Sequence, residues 1–167
     1  MKPLHSIFAF MALAACLAGD DPLIVPKAQS TQVVFVGTTP CGQIIRPMHK
    51  VSQQADCALV KWTLTLYQDP VSGKPTTYKL SSINRFIVKG TNMYSEPGTK
   101  SDRTGKWSIV RNADQIIYKL ETDKETSISF RKISDKLIHI LDNNGKLMIG
   151  NDGWSYTLSQ VANQQTK

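Results

Sequence analysis

The sequence is poor in the residues and motifs on which hydrolytic and metal-dependent enzymes depend. Its 167 residues include three histidines and three glutamates, and no Gly-x-Ser-x-Gly, P-loop or His-Glu-x-x-His motif occurs. The longest apolar run, Ile7–Ala15, has nine residues, whereas a transmembrane helix needs about 20. Lysine and arginine are dispersed and do not alternate with aromatic residues. These absences argue against an enzyme, a polytopic membrane protein and a nucleic-acid-binding protein.

The composition is that of one soluble globular domain. Hydrophobic residues make up 41% of the chain and charged residues 20%, which suits a single packed core at this length. The 20 lysines and arginines exceed the 13 acidic residues, so the net charge is +7. This excess favours attraction to an anionic envelope surface or an acidic partner.

The first residues have the pattern of a secretory leader that ends in a lipidation site. A short basic start precedes the apolar segment Ile7–Leu13, as in signal peptides. Leu13-Ala14-Ala15-Cys16 matches the bacterial lipobox, which predicts a signal peptide over 1–15 and a diacylglyceryl group on Cys16. The alternative is an ordinary signal peptide with a chance cysteine. We expect residues 16–31 to form the lipidated N-terminus and tether, which would anchor the protein to a membrane.

The two remaining cysteines, Cys41 and Cys57, predict a disulfide. An even pair in an oxidising compartment is usually bridged, and this bridge would enclose 15 residues. The enclosed segment also contains Met48 and His49, so the four side chains form an alternative set of soft ligands for Cu(I). The two interpretations exclude each other, because a disulfide offers no thiolate. With the bridge, the Met–His pair is expected on the surface of a stapled loop.

From Gln32 onward the chain reads as short strands separated by turns, and no segment sustains a helical period. In Val60–Tyr67 the apolar and polar residues alternate strictly, as in a strand with one buried face. The other predicted strands are Val33–Val36, Thr76–Leu80, Arg85–Val88, Lys106–Val110, Ile116–Leu120, Ser127–Phe130, Lys136–Leu141, Leu147–Ile149 and Trp154–Leu158. Eight to ten strands with mostly short connections, and one long connection between Gly90 and Gly105, predict an all-β antiparallel up-and-down barrel over 32–160. A β-sandwich is the alternative, and 161–167 is predicted to be a polar tail.

Three side chains within predicted strands are candidate ligand-binding residues. Trp62 and Trp107 either fill the barrel or line a cavity for a small hydrophobic molecule. His139 lies between Ile138 and Ile140, where a packed or barrel-lining histidine is expected rather than a general base.

Several short motifs occur in the order found in a known family. They are Gly37–Cys41, Cys57, Leu64–Leu66, Thr77–Leu80, Gly105–Ile109, Leu141–Lys146 and Tyr156–Leu158. In this order the chain resembles the N-terminal domain of NlpE-type lipoproteins over Val33–Gln160. The resemblance implies a lipocalin-like barrel tethered to the outer membrane, periplasmic or surface-facing, with a link to copper homeostasis or envelope stress.

One departure from the family concerns the cysteines. The family has a Cys-x-x-Cys pair after its first strand, whereas here the segment 42–56 separates Cys41 from Cys57. Wide spacing suits a static bridge better than redox exchange or chelation. We therefore expect a non-enzymatic lipid-anchored envelope protein without a required cofactor. Its partners would be the membrane, other envelope proteins or a small hydrophobic ligand, and the alternative function is a lipocalin-like carrier of such a ligand.

Overall fold

The computed structural model describes residues 31–91, 93–95, 98–122 and 127–162. The predicted leader, Cys16, the tether up to residue 30 and the tail from 163 lie outside these residues. The elements are β1 (Thr31–Pro40), α1 (Ile45–Met48), β2 (Leu59–Gln68), β3 (Pro75–Arg85), β4 (Thr99–Asn112), β5 (Gln115–Leu120), β6 (Ile128–Lys132), β7 (Leu137–Ile140) and β8 (Thr157–Val161). No helix within the described residues is long and apolar enough to span a membrane.

The eight strands form a closed antiparallel barrel in which each strand pairs with its neighbours in the sequence. The barrel closes where β8 pairs with β1, with Val36 opposite Ser159 and Val34 opposite Val161. Closure satisfies the backbone groups that an open sheet would leave unpaired at its edges. The predicted up-and-down barrel is confirmed, and the β-sandwich alternative is wrong.

The alternating pattern of β2 places its apolar face inside the barrel. Val60, Trp62, Leu64 and Leu66 are at most 1% exposed, whereas Lys61 is exposed on the outer face. The inward residues of the other strands complete one core, which includes Phe35, Tyr78, Leu80, Trp107, Leu120, Ile128, Phe130, Ile138, Ile140 and Leu158. Burial of this apolar surface is the main stabilising contribution to the fold.

The seam between β1 and β8 depends on a glycine. Gly37 lies opposite Trp62 in the β1–β2 register. A Cβ atom at Gly37 would lie 2.5 Å from Cδ2 of Leu158 and 2.8 Å from the carbonyl oxygen of Thr157. The absence of a side chain therefore lets β8 approach β1 closely enough to close the barrel.

The two rims of the barrel differ in their connections. One rim, which we call the terminal rim, contains the start of β1 and the end of β8. It also contains the β2–β3, β4–β5 and β6–β7 connections. The β1–β2, β3–β4, β5–β6 and β7–β8 connections share the other, the loop rim. Because neighbouring strands alternate in direction, every second connection falls on the same rim. The long connections all lie at the loop rim.

Several predicted strand bounds are wrong. The segment after Arg85 is not a barrel strand, because its hydrogen bonds close a local hairpin in which Ser95 N donates to the Phe86 carbonyl and Val88 N to the Met93 carbonyl. Leu147–Ile149 contributes one isolated bridge, Leu141 to Leu147, and β8 begins at Thr157 instead of Trp154. Strand β1 begins at Thr31, one residue before the predicted barrel, and β8 ends at Val161, one residue beyond it.

Strand β4 begins well before its predicted start at Lys106. Residues Thr99–Gly105 pair with β3, with Ser101 opposite Ser82 and Arg103 opposite Leu80. These inward positions are polar, so this part of β4 lacks the apolar alternation by which strands are recognised. The long connection was predicted between Gly90 and Gly105, whereas it spans residues 86–98 in the structure.

Candidate functional site: the capped end of the barrel

The connection between β1 and β2 folds over the loop rim as a cap. Cys41 and Cys57 form a disulfide with a Cα–Cα distance of 5.7 Å, which confirms the predicted bridge. The bridged segment contains the one-turn helix α1, whose residues Ile45 and Met48 are 0% and 5% exposed. The cap therefore contributes apolar side chains to the barrel core.

Two arginines hold the cap in place. The Nη1 group of Arg46 donates to the carbonyl oxygens of Ser52 (2.9 Å) and Ala55 (2.6 Å), and Nη2 donates to that of Cys57 (3.4 Å). The Nη2 group of Arg103, on β4, donates to the carbonyl oxygen of Pro47 at 3.1 Å. Hydrogen bonds from a charged donor are stronger than neutral ones. The arginines therefore stabilise the cap internally and bind it to strand β4. Sequence analysis missed both residues, because neither belongs to a motif.

The expectation of an exposed Met–His pair is wrong. His49 is 4% exposed, and its ring packs edge-on against Trp62 with centroids 4.0 Å apart. Burial, together with the nearby positive charge of Arg103, lowers the pKa of His49 from 6.5 to about 3. The imidazole is therefore neutral at neutral pH, and it packs in the core as an uncharged ring. The one-turn helix causes this, because it directs Met48 and His49 into the barrel.

Trp62 and Trp107 are both core residues. The indole Nε1 of Trp62 donates to Oγ1 of Thr39 at 2.9 Å, and that of Trp107 donates to the Tyr67 carbonyl at 2.8 Å. Their exposed fractions are 0% and 4%. Both indoles therefore fill the barrel core and do not line a cavity. Their N–H groups are hydrogen-bonded.

His139 lies on the outer side of β7, since its neighbours Ile138 and Ile140 point inward. Its Nδ1 is 2.9 Å from Oγ1 of Thr157, and its Nε2 is 2.8 Å from the carbonyl oxygen of Met148. A carbonyl only accepts, so Nε2 donates to the Met148 carbonyl, while the Thr157 hydroxyl, which can donate or accept, pairs with Nδ1. His139 is therefore a packed histidine, which was one of the two expected roles. Its hydrogen bonds connect β7 to β8 and to the loop between them.

The copper-ligand set Cys41, Met48, His49 and Cys57 is not available as a thiolate site in the oxidised protein. The bridge consumes both thiolates, which leaves one buried thioether and one buried imidazole. Among the described residues, no group of three or more His, Cys, Asp or Glu side chains could hold a metal ion.

The loop rim also carries exposed apolar side chains. Phe86, Ile87, Val88 and Met93 in the β3–β4 hairpin are 39–70% exposed. Leu147, Ile149 and Trp154 of the β7–β8 connection are 41%, 92% and 38% exposed. These two connections lie on opposite sides of the barrel, because four strands separate them in the order around it. Most of these residues lie in predicted strands, so an exposed apolar surface was not expected from the sequence.

A separate groove of about 550 Å³ lies on the outer surface beside the β7–β8 turn. Its lining consists of Val110, Ile117, Lys119, Ser127, Ser129, Leu141, Asp142, Asn143 and Gly145. It contains none of the residues predicted to bind a ligand.

Comparisons with known proteins add no relative to this picture. No family model, no curated protein and no solved structure matches the chain. The resemblance to NlpE-type lipoproteins therefore rests on the short motifs described above and on the barrel.

Proposed function

We propose that this protein is a non-enzymatic, lipid-anchored component of a bacterial cell envelope that acts in copper homeostasis or envelope stress. The observation that carries the proposal is the lipobox ending at Cys16, followed 15 positions later by the first strand of the barrel at Thr31. A disulfide-bridged barrel directly after such a motif supports export and anchoring. The order of short motifs shared with NlpE-type lipoproteins supports the physiological role.

The arrangement of the rims suggests how such an anchored barrel would meet its partners. The tether would join the barrel at the terminal rim, where β1 begins, and the loop rim lies at the opposite end of the barrel. The exposed apolar side chains of the loop rim are held on folded segments, such as the hairpin closed by the 2.8 Å bond from Val88 N to the Met93 carbonyl. A contiguous exposed apolar patch is typical of protein interaction sites, and the β3–β4 hairpin carries four exposed apolar side chains within eight residues. We therefore assign binding of other envelope proteins to the loop rim.

A role in copper homeostasis would not use the Cys41–Cys57 pair as a copper site under oxidising conditions. The bridge removes both thiolates, and Met48 and His49 are buried in the cap. The copper link of the proposal therefore does not depend on copper binding by these two cysteines. The carrier alternative has less support, because Trp62 and Trp107 are packed in the core.

The anchor is tested by mass spectrometry of the protein extracted from membranes. We expect a mature chain that starts at Cys16 and carries the mass of its acyl chains, and a Cys16→Ser variant that lacks this mass and is released from membranes. Native protein with its leader intact, recovered from the soluble fraction, would contradict the proposal. The physiological role is tested separately in a deletion strain, which should show altered copper tolerance or an altered envelope-stress response.

A further inference from the structure

Nearly all the charged residues in the barrel strands are basic. The eight strands contain ten lysines and arginines and one acidic residue, Asp102. The cations are Lys61, Lys79, Arg85, Lys100, Arg103, Lys106, Arg111, Lys119, Arg131 and Lys132. The outer face of a strand requires polar residues but does not dictate the sign of their charge. The imbalance is therefore not a requirement of the fold.

Four of these lysines share the outer face of three adjacent strands, β2, β3 and β4, which we call the cationic wall. Lys61, Lys79, Lys100 and Lys106 are all exposed. Lys61 and Lys100 both lie in register with Ile83, so they flank it on neighbouring strands. Lys79 lies between Thr65 and Thr104, and Lys106 lies opposite Thr77. The remaining outward side chains on this face are mostly hydroxyls, including Thr63, Thr65, Thr77, Ser81 and Thr104.

The wall has little internal charge compensation. Asp102 forms a 3.1 Å salt bridge with Lys100. Hydrogen bonds from Ser81 and Lys100, together with the charge of Lys79, keep the pKa of Asp102 below its usual range. Within the described part of the chain, Lys61, Lys79 and Lys106 have no carboxylate within salt-bridge distance. One aspartate thus faces four lysines on this surface.

We propose that the cationic wall binds the phosphate headgroups of an anionic lipid bilayer. The wall offers lysine ammonium groups beside threonine and serine hydroxyls, which can both donate to phosphate oxygens. Its charges are spread over the outer faces of three neighbouring strands, so it can contact several headgroups at once. The proposal rests on the lipid anchor of the proposed function, since the 14 residues from 17 to 30 span at most about 50 Å. That length lets the wall reach the membrane to which Cys16 is attached.

In this arrangement the barrel lies on its side, with β2–β4 against the headgroups. The loop rim then opens parallel to the membrane and stays accessible to partners. Electrostatic binding of this kind weakens with salt, because the Debye length falls from about 10 Å at 0.1 M to about 3 Å at 1 M.

The test uses the mature chain from residue 16 with Cys16→Ser, so that no acyl chain contributes to binding. The protein is sedimented with vesicles of phosphatidylcholine alone or with 30% phosphatidylglycerol, in 0.1 M salt. We expect binding to the anionic vesicles at least a hundredfold stronger than to the neutral ones. Each lysine near an anionic surface contributes roughly a fivefold factor, so Lys61→Gln/Lys79→Gln/Lys106→Gln should weaken binding about a hundredfold.

The matched control removes three lysines outside the wall. Lys89, Lys136 and Lys146 are exposed in connections, so Lys89→Gln/Lys136→Gln/Lys146→Gln gives the same net charge as the wall variant. It should bind anionic vesicles nearly as well as the parent chain, and circular dichroism should show the same fold for both variants.

Three outcomes would overturn the inference. They are equal binding to neutral and anionic vesicles, equal weakening by the two triple variants, and wall-dependent binding of soluble polyphosphate without binding of vesicles. The last outcome would identify an anionic polymer as the partner. Because the tested chain carries no lipid, its result is independent of the mass-spectrometric test of Cys16.

Discussion

The indole Nε1 of Trp62 donates a 2.9 Å hydrogen bond to the hydroxyl of Thr39, and both side chains are fully buried. The two residues lie on neighbouring strands of the closed barrel, below the cap that contains His49. Each satisfies the other's polar group in the core, where an unpaired donor or acceptor would be costly. This bond therefore couples the first strand to the second at the capped end.

The losses of stability caused by removing each partner of this bond should not be additive. The double variant should lose less than the sum of the two single variants. Trp62→Phe leaves the Thr39 hydroxyl unpaired and creates a cavity, so we expect a loss of about 2–4 kcal/mol in the free energy of unfolding. Thr39→Val, which leaves the indole N–H unpaired, should cost about 1–3 kcal/mol. In urea denaturation, the double variant should lose at least about 1 kcal/mol less than the sum of the two single variants. Additive losses would contradict the coupling.

The disulfide should stabilise the cap and, through it, the barrel. Closing a loop of about 15 residues is worth about 3 kcal/mol in the chain-entropy model. We expect Cys41→Ala/Cys57→Ala to lower the free energy of unfolding by this amount while circular dichroism still shows a β-barrel. Reduction of the parent chain is the control and should give a similar loss. A change below about 1 kcal/mol in both experiments would show that the cap is stable without the bridge.

Burial of neutral His49 should make the protein less stable in acid. Its pKa is about 3 in the folded protein and 6.5 when unfolded, so between these values only the unfolded chain binds the proton. The stabilisation is complete above pH 6.5 and is lost as the pH falls towards 3, by up to about 1.4 kcal/mol per pH unit. His49→Phe keeps a ring against Trp62 and should remove this part of the slope, as measured by denaturation at several pH values.

An Arg103→Met variant separates the two causes of the low pKa of His49. Burial is the larger cause and the charge of Arg103 the smaller one. The variant should therefore keep most of the pH dependence that His49→Phe removes. If Arg103→Met abolished it completely, charge and not burial would control the protonation of His49.

A side chain at Gly37 should open the seam between β1 and β8. The Cβ atom of Gly37→Ala would lie 2.8 Å from the carbonyl oxygen of Thr157, which belongs to the backbone and cannot rotate away. We expect a loss of about 3 kcal/mol or more, with faster amide exchange in β8. Adding Leu158→Ala removes the second clash, with Cδ2 of Leu158, but should restore only part of the stability. Gly153→Ala, where the nearest atom to the added Cβ is 3.9 Å away, is the matched control and should have little effect.

The parts of the fold that sequence analysis predicted correctly depend on local alternation. Val60–Tyr67 shows a period of two, and the structure places its apolar residues inside the barrel. Strand β4 was recognised only from Lys106 onward, because Ser101 and Arg103 occupy inward positions without being apolar. The apolar segment after Arg85 was predicted as a strand, but its hydrogen bonds form a local hairpin at the loop rim.

The candidate site was predictable only in part. The number of cysteines indicated a bridge, because the lipobox predicts an exported chain and an even pair of cysteines in such a chain is usually bridged. The burial of Met48 and His49 was not predictable, since a four-residue helix gives no periodic signal and its burial depends on the barrel beneath it. Arg46 and Arg103 stabilise the cap by donating to backbone carbonyls. Every residue has a backbone carbonyl, so no sequence motif identifies these acceptors.

The amino-acid sequence alone determined the strand type, the inward face of β2, the cysteine pair and the excess of positive charge. Each follows from residue counts or from a period of two along a few neighbouring residues. Only the tertiary structure decided that the sheet closes, that the cap fills its open end and that four lysines share one wall. These features join residues far apart in the chain, such as Gly37 and Leu158, and their contacts depend on strand register and curvature rather than on any local pattern.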